Sequence, residues 1–294
     1  MKTLWQATKE AVKSFLQDDA VILAAALAFF AMLSLAPLLV LLVTIGAYIG
    51  PENQQQIVHH VQAALGPPAG DALQHMLDNA KAHKVAATWS AVVGIVSVLV
   101  GATIVFAHLQ ASLNRAFHVR TKTGLITGWF YKRGLSLLMV IGIGVLLVAS
   151  LVLSSIVAAL SPDVAILSNT TDFLLSLVLF MLVFALMYKT LPDVHIAWKD
   201  VWIGSLITAV LFVTAKWLIA KYLAHQVAAS VYGAAGSLFV LLLWAFYSGI
   251  VILFGAELTQ AYTECCGTPV QPNQFAEWDD AAARKHAAKN AKPQ

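Results

Sequence analysis

The feature that most constrains this chain is the length of its uncharged apolar runs. Between Asp19 and Glu52 there is no Asp, Glu, Lys or Arg, and the segment reads AVILAAALAFFAMLSLAPLLVLLVTIGAYIG. A helix needs about 20 mostly apolar residues to cross the hydrocarbon core of a bilayer, at about 1.5 Å rise per residue. This run exceeds that length, and Ser34 and Pro37 within it predict a kink or tilt at Pro37. Comparable runs lie between Lys84 and Arg115 and from Gly134 to Pro162. Three more follow, with Asp172 at the start of one and Lys216, Lys221 and Glu257 in the others. The expected spans are about 20–49, 86–110, 134–160, 170–191, 201–223 and 234–262.

Backbone polar groups in lipid must be satisfied within the segment, which a helix does. Barrel strands would alternate apolar and polar residues, and these runs do not. Composition agrees: only 11% of residues are charged, 60% are apolar, and mean hydropathy is +0.78. A soluble chain would have too few charges to cover its exterior. The expected fold is an all-α membrane protein, a bundle of six transmembrane helices with an amphipathic N-terminal helix and a short helical external segment between helices 1 and 2. No cleavable signal is expected, because the first apolar run follows a charged lead and is too long for one.

Orientation follows from where Lys and Arg lie. Lys2, Lys9 and Lys13 precede the first span, and Arg115, Arg120, Lys122, Lys132 and Arg133 join the second to the third. Lys189 and Lys199 join the fourth to the fifth, and Arg284, Lys285, Lys289 and Lys292 follow the last. The opposite side has Lys81, Lys84, Lys216 and Lys221. Fourteen of the 18 basic residues thus share one side, which is expected to be cytoplasmic with both termini there. The net charge of +3 is too small to argue for nucleic acid.

Residues 1–18 pattern as an interfacial helix, with Trp5, Thr8, Val12, Phe15 and Leu16 on one face and lysines favouring the other. A plain extension of the first span is the alternative. The external segment 52–84 has two apolar helical faces separated by Gly66-Pro67-Pro68. His59, His60, His75 and His83 within it match no standard metal spacing and fit solvated helix faces better. The transmembrane domain is taken as 19–264 and the polar cytoplasmic tail as 265–294, expected to be disordered from Gly267 with a short helix after Asp279 or Asp280. Cys265 and Cys266 suggest a pair of reduced thiols, with palmitoylation or metal capture as lesser alternatives.

Ionisable residues inside spans are default functional candidates. His108, Lys216 and Glu257 stand out. From the helix rise, Lys216 lies about 22 Å along the fifth span from the cytoplasmic side, and Glu257 about 34 Å along the sixth from the outer side. The two therefore do not form a direct pair. Glu257, His108, Asn114, Arg115 and either Asp18 or Asp19 are candidates for a polar ledge at the inner face, in which Glu257 pairs with Arg115. The alternative is that each is solvated among headgroups while Lys216 snorkels outward. Small residues at i, i+4 on the second span (Ser90 and Gly94, Ser97 and Gly101), Ala24, Ala25 and Ala28 on the first, and Gly142 and Gly144 on the third predict close helix packing.

Three stretches resemble a known group. They are AAALAFFAMLSLAPLLVLLV at 24–43, HLQASLNRAFHV at 108–119, and VYGAAGSLFVLLLWAFYSGIVILFGAELTQAY at 231–262. YKTLP at 188–192, followed by Trp198, adds a fourth. Together they resemble the YihY/BrkB family of bacterial inner-membrane proteins, historically labelled ribonuclease BN-like, over about residues 10–265. The resemblance implies a bacterial cytoplasmic membrane and supplies no agreed catalytic residues.

Three functions are then in view. The first is a transporter of lipid or a small solute, with membrane lipids as partners and a homo-oligomer compatible. The second is a non-transporting structural or assembly factor of the envelope, in keeping with the family's association with serum resistance. The third, a ribonuclease, needs clustered acidic or His ligands for metal. Here the acidic residues are scattered, and the 115–133 loop has five basic residues and no acidic one. No enzyme activity, catalytic residue, metal, cofactor or nucleic-acid partner is expected.

Overall fold

The computed structural model describes residues 2–48, 84–122, 165–224 and 229–280, with isolated positions besides, and side chains for part of these. Helices dominate: α1 (Lys2–Gln17), α2 (Ala20–Tyr48), α3 (Lys84–Ala116), α4 (Ala165–Thr190), α5 (Trp198–Ala224) and α6 (Ala229–Cys265). Four short strands join them: β1 (Val119–Thr121), β2 (Val194–His195), β3 (Gln271–Pro272) and β4 (Ala276–Trp278).

The helices α2 to α6 fall on five of the expected apolar runs, and of the third run, 134–160, only Gly134 and Gly142 are described. Among the described residues Trp198–Ala215 and Leu241–Cys265 are each long and apolar enough to cross a membrane. The bent pair Trp5–Gln17 and Ala20–Ser34 makes a third if taken as one span. The external segment 52–84 is also mostly outside the described residues. Within it Gln74 donates to Asp78 across one helical turn.

Among the described residues a sharp bend precedes α2, which continues as helix through Pro37. It lies between α1 and α2, is 66°, and turns on Asp19, whose φ is 52°. Asp tolerates this left-handed backbone better than most residues. The Asp19 carbonyl then accepts from the amides of Ile22 and Leu23 and starts α2.

The chain divides into two compact units. One comprises Met1–Leu23, Leu109–Ala220 and Ile250–Gln294, the other Ala24–His108 and Lys221–Gly249. In the second, small residues set the packing. A Cβ on Gly101 would lie 3.2 Å from Ser34 Cβ, and one on Gly249 would lie 3.1 Å from Ala24. At these distances an added Cβ would require its neighbour to give by a few tenths of an ångström.

In the first unit, Ala7 and Ala11 of α1 are buried against Leu258 and Ala261 of α6, flanked by Ile207, Phe254 and Tyr262. Phe15 meets Phe254 at a ring separation of 5.9 Å. The small alanines bring α1 onto α6, while Trp5, Val12 and Leu16 stay exposed on its other side. α5 and α6 run antiparallel with a matched pair of Gly-x-x-x-Thr turns. Gly204 sits under Thr259, and Gly255 sits under Thr208 and the Tyr188 hydroxyl, so neither glycine has room for a Cβ. The threonine hydroxyls donate to the carbonyls of those same glycines one turn back, at 2.7 Å each. That satisfies their polarity inside an apolar contact. Phe180 and Phe184 of α4 pack their rings on Phe212 of α5.

The expectation of a disordered tail is overturned over residues 267–280. β3 pairs antiparallel with β2, setting Val194 opposite Pro272 and His195 opposite Gln271. β4 pairs antiparallel with β1, setting Val119 opposite Trp278 and Thr121 opposite Ala276. Backbone donors and acceptors in these connections are thereby paired, which an unstructured tail would leave to water. A helical turn starts near Asp279, whose carbonyl accepts from the Ala283 amide. Cys265 and Cys266 are joined in a disulfide between adjacent residues rather than standing as separate thiols.

Candidate functional site

The polar residues of the first unit gather in two clusters. The first is centred on Asp193, in the turn between α4 and β2, with its side chain 3% exposed. Asn114, near the end of α3, holds both ends of that residue. Its Nδ2 donates to Asp193 Oδ2 at 2.8 Å, and its Oδ1 accepts from the Asp193 amide at 2.7 Å. Gln110, one helical turn back, donates to Asp193 Oδ1 at 3.2 Å. The Thr121 hydroxyl donates to Oδ2 at 3.0 Å, and the Asp193 carbonyl accepts from the amide of Asn273 in the tail. Every acceptor of this buried residue is therefore occupied, which burial of a carboxylate demands. Nearby, Asp200 in the first turn of α5 accepts from the Thr268 amide at 2.9 Å. Arg120 bridges to Glu277 and Asp280. The cluster ties α3, the α4–α5 connection and the tail together.

The second cluster is built differently. Glu257 of α6 is 1% exposed, and neither carboxyl oxygen has a hydrogen-bond partner among the described residues. Its neighbour, within hydrogen-bonding range, is Asp18, at the bend between α1 and α2. Asp18 Oδ2 is buried and also has no hydrogen-bond partner there. His118 stands at the cluster's edge with φ 55°, just past the end of α3. Its Nδ1 lies 3.7 Å from Asp18 Oδ2 and 3.9 Å from Asp279 Oδ2. Burial pushes the Asp18 carboxyl above its usual pKa, against the opposing pull of His118 and then Arg115.

The residues singled out from sequence are divided by the structure. Asn114 and Glu257 are both buried, in different clusters. Arg115 pairs with Asp19 at 3.1 Å on the surface, so the expected Glu257–Arg115 pair is replaced by Glu257 beside Asp18. The reason is local: the left-handed Asp19 turns its carboxylate out to Arg115 and leaves Asp18 facing inward. His108 is exposed in the second unit and stacks on Phe30 with ring centroids 4.0 Å apart. Lys216 lies on α5, and its side chain, like that of Pro37, is outside the described residues.

Several contributors escaped the sequence reading. Asp193 follows YKTLP, but its partner Asn114 is 79 positions away, and nothing local links them. Tyr188 of the same motif is fully buried. Its hydroxyl donates to the Ile252 carbonyl at 2.8 Å and lies 3.0 Å from Thr208 Oγ1. Lys189 donates to the Ile196 carbonyl and sits over the Trp198 ring. The Gly-x-x-x-Thr pairs at 204–208 and 255–259 do carry a signal, the same small-residue spacing already noted on the second span.

A family model described as virulence factor BrkB matches residues 11–279, most of the chain. A UPF0761 membrane protein of Alteromonas mediterranea is 27% identical over 260 residues, covering 84% of each chain. One from Cronobacter sakazakii is 28% identical over 271 residues, covering 88% of this chain and 86% of its own. One from Pseudoalteromonas translucida is 28% identical over 251 residues, covering 83% and 81%. No solved structure matches the chain. The chain is a membrane protein of the BrkB family.

Proposed function

We propose that this protein crosses the bacterial cytoplasmic membrane six times, with both termini in the cytoplasm, and moves a lipid or small solute across it. The carrying observation is the inverted polarity of α5 and α6. On α5, Ser205 and Thr208 are buried while Leu206 and Val210 are exposed, and Glu257, Thr259, Gln260 and Thr263 of α6 are buried. Exposed apolar side chains beside buried polar ones suit helices bathed in lipid that keep their polar groups away from it. On this orientation, α1 lies at the inner leaflet. Its Trp5, Val12 and Leu16 enter the headgroup boundary and its lysines meet anionic lipid. Lys9, over the Trp5 ring at 5.3 Å, places charge beside the apolar anchor. Membrane lipids are the proposed partners, a homo-oligomer is compatible, and neither enzymatic activity nor nucleic-acid binding is assigned.

The stapled tail favours a second reading, a non-transporting envelope assembly factor whose folded end is a docking platform. Reconstitution separates the two. Purified protein in liposomes is expected to accelerate transbilayer movement of a fluorescent anionic phospholipid, or uptake of small solutes, over protein-free vesicles. Movement of neither would overturn the transport reading and leave the assembly one.

A further inference from the structure

The two clusters differ in one chemical respect. Asp193 is ringed by donors. Asp18 and Glu257 face each other with no donor between them, since ionised carboxylates only accept hydrogen bonds. A buried carboxylate without a partner is costly, and two side by side repel as well. A single proton held between the two removes both problems, turning one oxygen into a donor for the other.

The remaining charged groups around the pair do not supply that donor. From α3 and the residue past it come Arg115, already on Asp19 at 3.1 Å, and His118, whose Nδ1 is 3.7 Å from Asp18 Oδ2, beyond hydrogen-bond length. From the tail comes Asp279, a further negative charge. Among the described residues no group of three or more His, Cys, Asp or Glu is arranged to hold a metal ion. The proton is thus the ligand that fits.

The geometry points to a proton-binding site formed by Asp18 and Glu257, in which one shared proton fastens the bend between α1 and α2 to α6. Glu257 lies one residue before Leu258, which forms the seat for Ala7 and Ala11. Proton loss would put two negative charges at the base of the α1 contact and loosen it. The site therefore couples cytoplasmic pH to the docking of α1, whatever the cargo.

The direction follows from linkage. The folded state holds a proton that the unfolded chain, with carboxyls near a pKa of about 4, releases at neutral pH. The contribution of the pair to stability is therefore fully present below the unfolded pKa of about 4 and is lost as pH rises through the titration of the folded pair. The expected slope is up to about tenfold in the unfolding equilibrium per pH unit, the value for one proton.

The experiment uses the full chain in lipid nanodiscs. Thermal unfolding is followed from about pH 5 to pH 9, a range above the free carboxyl pKa and below that of Tyr and Lys. Infrared difference spectra record the protonated-carboxyl band in parallel. Wild type is expected to show that band at neutral pH and to lose stability as pH rises. In Glu257→Gln the amide supplies the donor permanently, so both the band and the slope vanish while the protein stays folded. His118→Gln is expected to keep both. Absence of the band in wild type would overturn the proposal. So would an unchanged slope in Glu257→Gln, a slope lost only in His118→Gln, or stabilisation by sodium at fixed pH in place of the proton.

Discussion

Asn114 illustrates how much one side chain can carry. It donates to the Asp193 carboxylate and accepts from the Asp193 amide at once, and both residues are buried. Asn114→Ala leaves a buried charge short of a donor and a backbone amide short of an acceptor, at an expected cost of about 2–3 kcal/mol in chemical-denaturation measurements. Asn114→Asp is expected to cost more, because it sets a second carboxylate against the first. Equal destabilisation by the two would mean that packing, not hydrogen bonding, dominates there. From sequence, Asn114 and Glu257 were legible as polar residues at the ends of apolar helices. Their partners were not. The choice between Asp18 and Asp19 is made by one left-handed φ at Asp19, and the choice of Asp193 by a long-range turn. Neither leaves a mark in residue spacing.

At the level of elements, the helices were legible because a run of uncharged apolar residues in lipid has few alternatives. The α5–α6 contact was legible only in its spacing. Its tightness comes from two glycines that face threonines across the interface. Gly255→Ala drives a methyl into Thr208 and Tyr188, and is expected to cost about 1–3 kcal/mol of stability. Gly101→Ala meets Ser34 Cβ at 3.2 Å, a contact that a small shift relieves, and should cost less. Thermal midpoints in one detergent would rank the two. The reverse order would mean that the α5–α6 approach is more pliable than its hydrogen-bonded threonines indicate. The tail was misjudged from sequence for a related reason. Prolines and polar residues do signal the absence of a helix, yet Gln271–Pro272 and Ala276–Trp278 find edges to pair with that are supplied by distant connections. Strands of two or three residues are too short to show a period of two.

Across the whole molecule, membrane residence and family membership rest on features spread along most of the chain, while the finer chemistry sits in a handful of side chains. The tail shows how the two scales meet. Truncation after Cys266 removes both strand pairings, the Asn273 contact to Asp193 and the Thr268 contact to Asp200. Such a protein is expected to insert and to unfold at a lower temperature than one ending at Asp280, which retains those contacts. Equal midpoints would show that the staple is dispensable. The order of synthesis gives this arrangement a consequence for biogenesis. Residues 267–280 leave the ribosome after α1 to α6 have been made, so the edges of β1 and β2 wait unpaired while those helices insert. Synthesis of residues 267–280 is then the event that closes these two connections, and a chain stopped before them carries an open strand edge.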